Sequence, residues 1–217
     1  LEVFARALGH VGRERALVDL VGIDPLEFLW LLAGQLGIEI SSAAPEFALQ
    51  RAVTDHILAN RYQQIATILL LDDADEARAD VLDQIARLAQ FDVSREARLT
   101  IVLAAQPQRV HKLGVRLLEL ADLRIDLDGW EVDDTAAFVK RALAEAGRST
   151  PIFSEAALGR LHELASGVPR RIKQLADLAL LAGAGQNLAQ IEPNTLDSVF
   201  HELGVIVPAS QLAVSGR

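Results

Sequence analysis

The sequence is most constrained by the positions of its strand-like apolar runs, which lie in the first 130 residues. Three runs rich in leucine and β-branched residues span Ala16 to Val21, Ile65 to Leu71 and Leu99 to Ala104, and a weaker alternating run spans Leu123 to Leu127. Runs of this length and composition are typical of buried strands. We therefore predict four strands in this part of the chain.

Helical segments separate the predicted strands. They cover Glu27 to Leu36, Pro45 to Asn60 and Ala79 to Phe91, and the last of these places its apolar residues on one side of a helix. Strands that are apolar on both faces favour a parallel sheet with helices on both faces, because parallel strands need crossover connections. The first part of the chain is therefore predicted to be α/β.

The strand pattern stops near Trp130, and amphipathic helices follow. Ser154 is a good N-cap for one of them, and a later helix is expected to begin near Pro193 and to end at Gly204. We predict an α/β core over residues 1–129, a helical domain over residues 130–204 and a tail over residues 205–217.

Composition excludes several classes of protein. The 217 residues are 51% hydrophobic, which is too apolar for a disordered chain, and the longest apolar runs are far shorter than the roughly 20 residues of a membrane-spanning helix. Without cysteine there are no disulfides, thiolate metal sites or cysteine nucleophiles. Methionine is also absent, even at position 1, so we expect the sequence to be part of a longer translation product.

The strongest chemical signal is a pair of carboxylates at the end of the second predicted strand. Asp72 and Asp73 directly follow the apolar run, and Asp75 comes two residues later. In parallel α/β sheets ligands bind outside the carboxyl ends of the strands, and Mg²⁺ takes one or two protein carboxylates together with waters and phosphates. Asp72 is thus a candidate metal ligand and Asp73 a candidate base for an attacking water. Alternatively, both residues cap the helix that follows.

A polar side chain also ends the third predicted strand. Gln106 comes directly after the run Leu99 to Ala105, which places its amide at the same edge of the sheet as Asp72. There it is suited to hold a water or a phosphate oxygen. Its alternative role is that of a loop residue before the turn residue Pro107.

Basic residues open a helix in the second half of the chain. The segment Ser166 to Arg171 precedes an apolar helix and ends in two arginines. Helix N-termini attract anions, and the arginine fork of Arg170 matches the geometry of a phosphate. Otherwise these arginines and Lys173 form a solvated basic patch.

These segments occur in an order found in one group of ATPases. The strand ending at Asp73, the Ala105-Gln106-Pro107 strand end, the stretch Leu127 to Phe138, and Phe153 to Ala157 leading to Ser166 to Ile172 all follow it. The chain resembles the AAA+ ATPases of the general secretion pathway protein A type, which are close to transposition-helper and origin-recognition ATPases. The resemblance covers most of residues 16–204. It implies a parallel P-loop-type sheet flanked by helices and followed by an all-α lid domain.

The resemblance also implies a site for ATP and Mg²⁺. Asp72 occupies the magnesium position, and Asp73 stands at the catalytic position where the family more often carries glutamate, which is longer by one methylene. Gln106 matches the sensor residue at the end of the next strand. Arg170, in the same Gly-Val-Pro-Arg motif as Gly167, matches the second sensor, which reaches from the lid to the γ-phosphate.

Two further arginines lie where the family carries an arginine finger, a residue that contacts the ATP of a neighbouring subunit. Arg116 and Arg124 are the candidates, although Leu120 stands where one of the family's arginines is expected. In the alternative interpretation both are surface residues. An arginine finger implies a homo-oligomer.

The phosphate-binding loop of such ATPases does not occur in the sequence. No Gly-x-x-x-x-Gly-Lys-Ser/Thr is found in the 217 residues, whereas the family carries this loop immediately before the helix that we predict over Leu1 to Leu8. We expect the chain to be cut just downstream of the loop, with its first strand also missing. The 217 residues alone are then expected to be inactive, and the longer parent protein to be an ATP hydrolase.

Three functions follow as hypotheses. The first is an ATP-driven switch in a secretion or cell-envelope assembly, with a protein partner, at a cytoplasmic location and at the inner membrane through segments outside this sequence. The second is a DNA-associated helper ATPase for transposition or replication, which a net charge of −9 disfavours because nucleic-acid affinity comes largely from phosphate neutralisation. The third is a scaffold of the same fold that does not hydrolyse ATP.

Overall fold

The computed structural model describes residues 1, 5–6, 12–41, 43–92, 94, 96–148 and 150–206, with only the backbone described for residues 204–206. The chain divides into two compact units, Leu1–Asp126 and Leu127–Arg217. Within the described ranges, none of the helices combines the length and apolar character needed to span a bilayer.

The first unit is built on a parallel sheet. Its strands are β1 (Arg13–Asp19), β2 (Ala66–Asp72) and β3 (Leu99–Leu103), in the order β1-β2-β3. Both pairings are parallel, with Asp19 opposite Asp72 and Leu71 opposite Leu103. The carboxyl ends of all three strands therefore lie along one edge of the sheet.

Helices provide the crossover connections between these strands. Asp24 begins the first of them, because its side chain accepts a hydrogen bond from the Glu27 N–H at 2.9 Å and Pro25 occupies the first turn. The helices are α1 (Pro25–Gln35), α2 (Glu46–Tyr62), α3 (Ala79–Gln90) and α4 (Gly114–Glu119), and two 3-10 helices span Ala74–Glu76 and Pro107–Leu113.

One apolar core joins the sheet to its helices. Its fully buried side chains come from β2 and from α1, α2 and α3 and include Phe28, Leu32, Leu49, Val53, Leu69, Leu71 and Ile85. Burial of a side chain of this size contributes about 1.5–3 kcal/mol, so this core stabilises the packing of the helices on the sheet. The predicted α/β fold with a parallel sheet is confirmed.

The fourth predicted strand, Leu123 to Leu127, is wrong. That segment has no regular secondary structure, and Leu123, Ile125 and Leu127 are 74%, 71% and 87% exposed. An alternating apolar pattern forms a strand only where another strand accepts its backbone hydrogen bonds. Among the described strands β3 pairs with β2 alone, and none pairs with this segment.

The ends of the chain are described in part. Ala5 and Arg6 are helical, and the Ala5 N–H donates to the Leu1 carbonyl at 2.9 Å. The rest of the helix predicted over Leu1 to Leu8 lies outside the described residues. Residues 207–217 of the predicted tail also lie outside them. The first strand also begins earlier than predicted, because the charged residues Arg13 to Arg15 pair with β2 although they lack the apolar pattern.

The second unit is helical. It contains α5 (Val132–Glu145), α6 (Glu155–Ala165), α7 (Pro169–Gly185) and α8 (Pro193–Ile206). Ser154 caps α6 by accepting a hydrogen bond from the Ala157 N–H at 3.2 Å, as its sequence position predicts. The core of the unit is formed by buried side chains that include Phe153, Leu158, Leu161, Ile172, Ala179 and Leu196.

Candidate functional site

The candidate site begins with the carboxylate that ends β2. Asp72 accepts a hydrogen bond at 3.1 Å on Oδ1 from the backbone N–H of Asp73, and its side chain is 41% exposed. The backbone nitrogen of Leu1 lies 3.9 Å from its Oδ2. Asp72 thus offers oxygen ligands at the edge of the sheet while its backbone remains part of the ladder with Asp19.

Asp73 makes the turn out of the strand. Its backbone is left-handed, with φ of 49° and ψ of 42°, a conformation that costs a residue with a side chain about 1 kcal/mol or more. The side chain is exposed. The left-handed turn at Asp73 therefore ends the strand at Asp72.

Backbone hydrogen bonds tie this turn to the end of β3. The Ala104 N–H donates to the Leu71 carbonyl at 2.9 Å, and the Ala74 N–H donates to the Ala104 carbonyl at 2.8 Å. Asp72 and Asp73 lie between Leu71 and Ala74 in the chain. The loops that carry these carboxylates and Gln106 are therefore fixed side by side at one edge.

Gln106 enters the second 3-10 helix from this edge. Its backbone N–H donates to Oδ1 of Asp75 at 3.1 Å, and its carbonyl accepts from the Arg109 N–H at 2.9 Å. Its side chain is exposed and makes no hydrogen bond to any described residue. The backbone of Gln106 is therefore fixed by hydrogen bonds, while its side-chain amide is exposed to solvent.

Asp75 is a buried carboxylate at this edge to which the sequence pattern assigns no role. Its side chain is 1% exposed, and Nε of Arg109 lies 3.3 Å from its Oδ2. Arg109 also pairs with Glu76. The sequence shows only a cluster of acidic residues at this point. It does not show that Asp75 is paired, because its partner Arg109 is remote in sequence.

The two candidate arginine fingers make ordinary surface contacts. Arg116 donates to Oε1 of Gln90 at 2.7 Å, and Arg124 donates from Nε and Nη2 to Oδ1 of Asp126 at 3.0 and 2.8 Å. The exposed ion pair of Arg124 with Asp126 contributes about 0–1 kcal/mol. Their role between subunits stays a prediction.

In the second unit, Gly167 is a packing residue. It is buried with φ of 68°, and a Cβ built on it would lie 2.5 Å from the Trp130 carbonyl oxygen. The Trp130 N–H donates to the Gly167 carbonyl at 2.8 Å, and the Trp130 ring packs against Phe138 with centroids 5.1 Å apart. The turn before α7 thus contacts the segment that leads into α5, two residues before that helix begins, and the predicted nucleotide contact of Gly167 stays a prediction.

Arg170 lies in the first turn of α7 and is exposed. Neither Arg170 nor its neighbour Arg171 makes a hydrogen bond or ion pair with any described residue. Lys173 differs, because its Nζ donates to Asp177 at 2.9 Å. The positive charges of Arg170 and Arg171 are unfavourable at the helix N-terminus, because that end of the helix dipole is also positive. A bound anion would reduce this repulsion.

Neither clusters of metal-binding side chains nor surface grooves indicate a further functional site among the described residues. The described residues contain no cluster of three or more aspartate, glutamate, histidine or cysteine side chains placed to hold a metal ion. One groove of about 280 Å³ is lined by Asn194, Ser198 and Glu202 among others, and another of about 270 Å³ by Arg6, Arg15 and Gln35 among others. Neither groove is lined by a predicted site residue, and neither gathers groups suited to the chemistry that the sequence predicts.

Comparison with solved structures identifies the fold. The chain superposes on the Orc1 protein of Aeropyrum pernix, solved in complex with DNA, with a TM-score of 0.67, 15% identity, and coverage of 93% of this chain and 53% of that one. It superposes on the RuvB Holliday junction branch migration motor of Thermotoga maritima with a TM-score of 0.52, 15% identity, and coverage of 94% and 66%. The chain has the AAA+ ATPase fold.

Comparison of sequences adds one curated relative. General secretion pathway protein A of Aeromonas hydrophila is 30% identical over 158 residues, which are 71% of this chain and 29% of that protein. The chain therefore spans less than a third of the length of this relative. No protein-family model matches the sequence.

Proposed function

We propose that the chain is part of an ATPase that binds ATP and Mg²⁺ at the carboxyl edge of the sheet and uses hydrolysis to switch the conformation of a partner protein. The observation that carries the proposal is the pair of hydrogen bonds through which Ala104 joins the Asp72–Asp73 turn to the end of β3. They bring carboxylates and an amide to the edge at which ligands bind in such sheets.

Asp72 fits a magnesium ion by the chemistry of its donors. Mg²⁺ binds hard oxygen ligands, usually one or two carboxylates with waters and phosphate oxygens, and Asp72 presents a partly exposed carboxylate. Bound there, the ion would neutralise charge on the phosphates. In the same proposal Asp73 orients the attacking water or takes its proton, and Gln106 holds that water or a γ-phosphate oxygen.

Arg170 completes the proposal from the second unit. It is an exposed arginine at a helix N-terminus and has no partner among the described residues. This arrangement is expected of an arginine that binds an anionic ligand. We propose that it binds the γ-phosphate. Loss of that phosphate on hydrolysis would then release the helical unit.

The proposal includes a phosphate-binding loop outside the 217 residues. The longer curated relative supports a longer parent protein. We propose, as its role, a part in a secretion or cell-envelope assembly, and the name of that relative, general secretion pathway protein A, supports the secretion role.

The decisive variant is Asp73→Asn in the full-length protein. We expect ATP affinity to stay within about threefold, while turnover falls about 100-fold or more because the amide does not accept the proton of the water. Fluorescent-nucleotide titration and phosphate release measure the two quantities.

The matched control is Asp80→Ala, which removes an exposed carboxylate paired with Arg78 and should leave both ATP affinity and turnover unchanged. Normal turnover in Asp73→Asn would remove this residue from the chemistry, and a wild-type protein without Mg²⁺-dependent hydrolysis would favour the scaffold.

A DNA-associated ATPase is the second candidate, because the solved structures that share this fold include the Orc1 protein in complex with DNA and a branch migration motor. The net charge of −9 argues against extensive duplex binding by these residues. Titration of the full-length protein with a labelled duplex at low and high salt, with ATP present, separates the two. Salt-sensitive binding would favour the DNA candidate, and no binding at low salt would exclude it.

A further inference from the structure

Asp75 is a buried carboxylate that the proposed chemistry does not use. It lies in the middle of the first 3-10 helix, two residues after Asp73, and its side chain is 1% exposed. A carboxylate is rarely buried to this extent unless it is paired, because desolvation of an unpaired charge costs several kcal/mol. Its partners therefore indicate why it is there.

Both carboxylate oxygens have a defined neighbour. Oδ1 accepts the backbone N–H of Gln106 at 3.1 Å. Oδ2 receives no hydrogen bond within the described part of the chain and instead faces Nε of Arg109 at 3.3 Å. The ion pair thus compensates the negative charge, while the hydrogen bond acts on the loop after β3.

Arg109 acts on the same loop from the other side. Its own backbone N–H donates to the Gln106 carbonyl at 2.9 Å. Its side chain also bonds Glu76, which is the main reason that the pKa of Arg109 is raised, and the charge of Asp75 adds to that effect. The backbone N–H of Gln106 is therefore bonded to Asp75 and its carbonyl to the backbone of Arg109, and the side chains of Asp75 and Arg109 form an ion pair.

We propose that Asp75 is a positioning residue for nucleotide hydrolysis. Together with Arg109 it fixes the backbone of Gln106 and so sets the position of the Gln106 amide relative to Asp72 and Asp73. This inference rests on the proposed function, because it assigns Asp75 a role in the same reaction. Asp75 itself acts only through Gln106, since its carboxylate is buried.

Two substitutions at Asp75 in the full-length protein separate positioning from simple packing. Asp75→Ala removes the acceptor for the Gln106 N–H, and we expect kcat for ATP hydrolysis to fall about tenfold or more, because a misplacement of about 1 Å is costly in a catalytic site. The dissociation constant for ATP should stay within about twofold. Asp75→Asn keeps an oxygen acceptor, and kcat should recover to within about threefold of the wild-type value.

The ion pair is tested separately through Arg109→Gln, which leaves Asp75 without its cation. We expect a smaller fall in kcat, about threefold to tenfold, again with unchanged ATP binding. This variant also decides the matter if Asp75→Ala does not fold. The control is Asp80→Ala, a nearby exposed carboxylate that contacts neither Gln106 nor Arg109.

The outcomes distinguish this inference from the function on which it rests. If the wild-type protein hydrolyses ATP and Asp75→Ala or Arg109→Gln does so at the wild-type kcat, Asp75 is a packing residue and the inference is wrong. It is also wrong if kcat and melting temperature fall in parallel and Asp75→Asn gives no recovery. If the wild-type protein does not hydrolyse ATP, the proposed function fails and this inference fails with it.

Discussion

The carboxyl edge of the sheet and the first turn of α7 both carry residues that the sequence assigns to a phosphate, but they hold them in opposite ways. At the edge, Asp75 and Arg109 pair with each other and fix the backbone of Gln106. In α7, Arg170 makes no contact of this kind with a described residue, and the turn before it is held by Gly167. At the edge, a buried carboxylate and a backbone N–H hold the loop of a candidate residue, whereas Arg170 follows a turn held by backbone contacts and its own side chain makes no hydrogen bond or ion pair with a described residue.

The largest effect on this comparison is expected from Gly167→Ala. The new methyl group would lie 2.5 Å from the Trp130 carbonyl, on a backbone with φ of 68°, so that overpacking and left-handed strain add. We expect the free energy of unfolding of the second unit to fall by about 2–3 kcal/mol. Denaturant unfolding followed by tryptophan fluorescence in a Trp30→Phe background, which leaves Trp130 as the tryptophan of these 217 residues, measures it.

A second glycine provides the matched control. Gly159 lies within α6, where an added Cβ meets nothing within 4 Å. Gly159→Ala should therefore stabilise the unit by about 0.5–1 kcal/mol. Equal stability of the two variants would show that the contact between Gly167 and Trp130 does not fix the start of α7.

A smaller effect is expected from Arg170→Ala, which acts on the ligand and not on the fold. We expect the preference for ATP over ADP to fall about tenfold, equivalent to about 1.4 kcal/mol, because the arginine would meet the γ-phosphate. The free energy of unfolding should change by less than about 0.5 kcal/mol, since the side chain has no partner among the described residues. Competition titrations with the two nucleotides and denaturant unfolding check both values.

Arg171→Ala is the control for this variant, because Arg171 is also exposed and unpaired within the described ranges but is not the residue that matches the second sensor. It should reduce the preference for ATP by less than about twofold. If both arginines matter equally, the first turn of α7 attracts anions as a patch. A loss of stability in Arg170→Ala would instead give that residue a structural role.

The sequence predicts the edge of the sheet well because strand ends and polar residues coincide there. Asp72 and Gln106 each follow an apolar run, and the parallel register brings those ends together. The strand predicted over Leu123 to Leu127 fails for the complementary reason. Strand formation depends on a neighbouring strand, which a local pattern does not contain.

The role of Asp75 is beyond prediction from sequence for a different reason. Its burial and its pairing with Arg109 arise only when two 3-10 helices pack against each other. Gly167 is similar, because its motif suggests a ligand contact whereas the close approach of the Trp130 backbone already requires a glycine there. Tertiary contacts of this kind leave no periodic signal in the chain.

The proposed function requires the Asp72–Asp73 turn, the Gln106 loop and the start of α7 to bind the same nucleotide. Backbone hydrogen exchange in full-length Asp73→Asn protein, with and without ATP and Mg²⁺, tests it directly, because this variant should bind without turnover. We expect slower exchange on ATP addition in residues 72–76, 104–109 and 166–172 together. Unchanged exchange in residues 166–172, with protection confined to the other two segments, would contradict it.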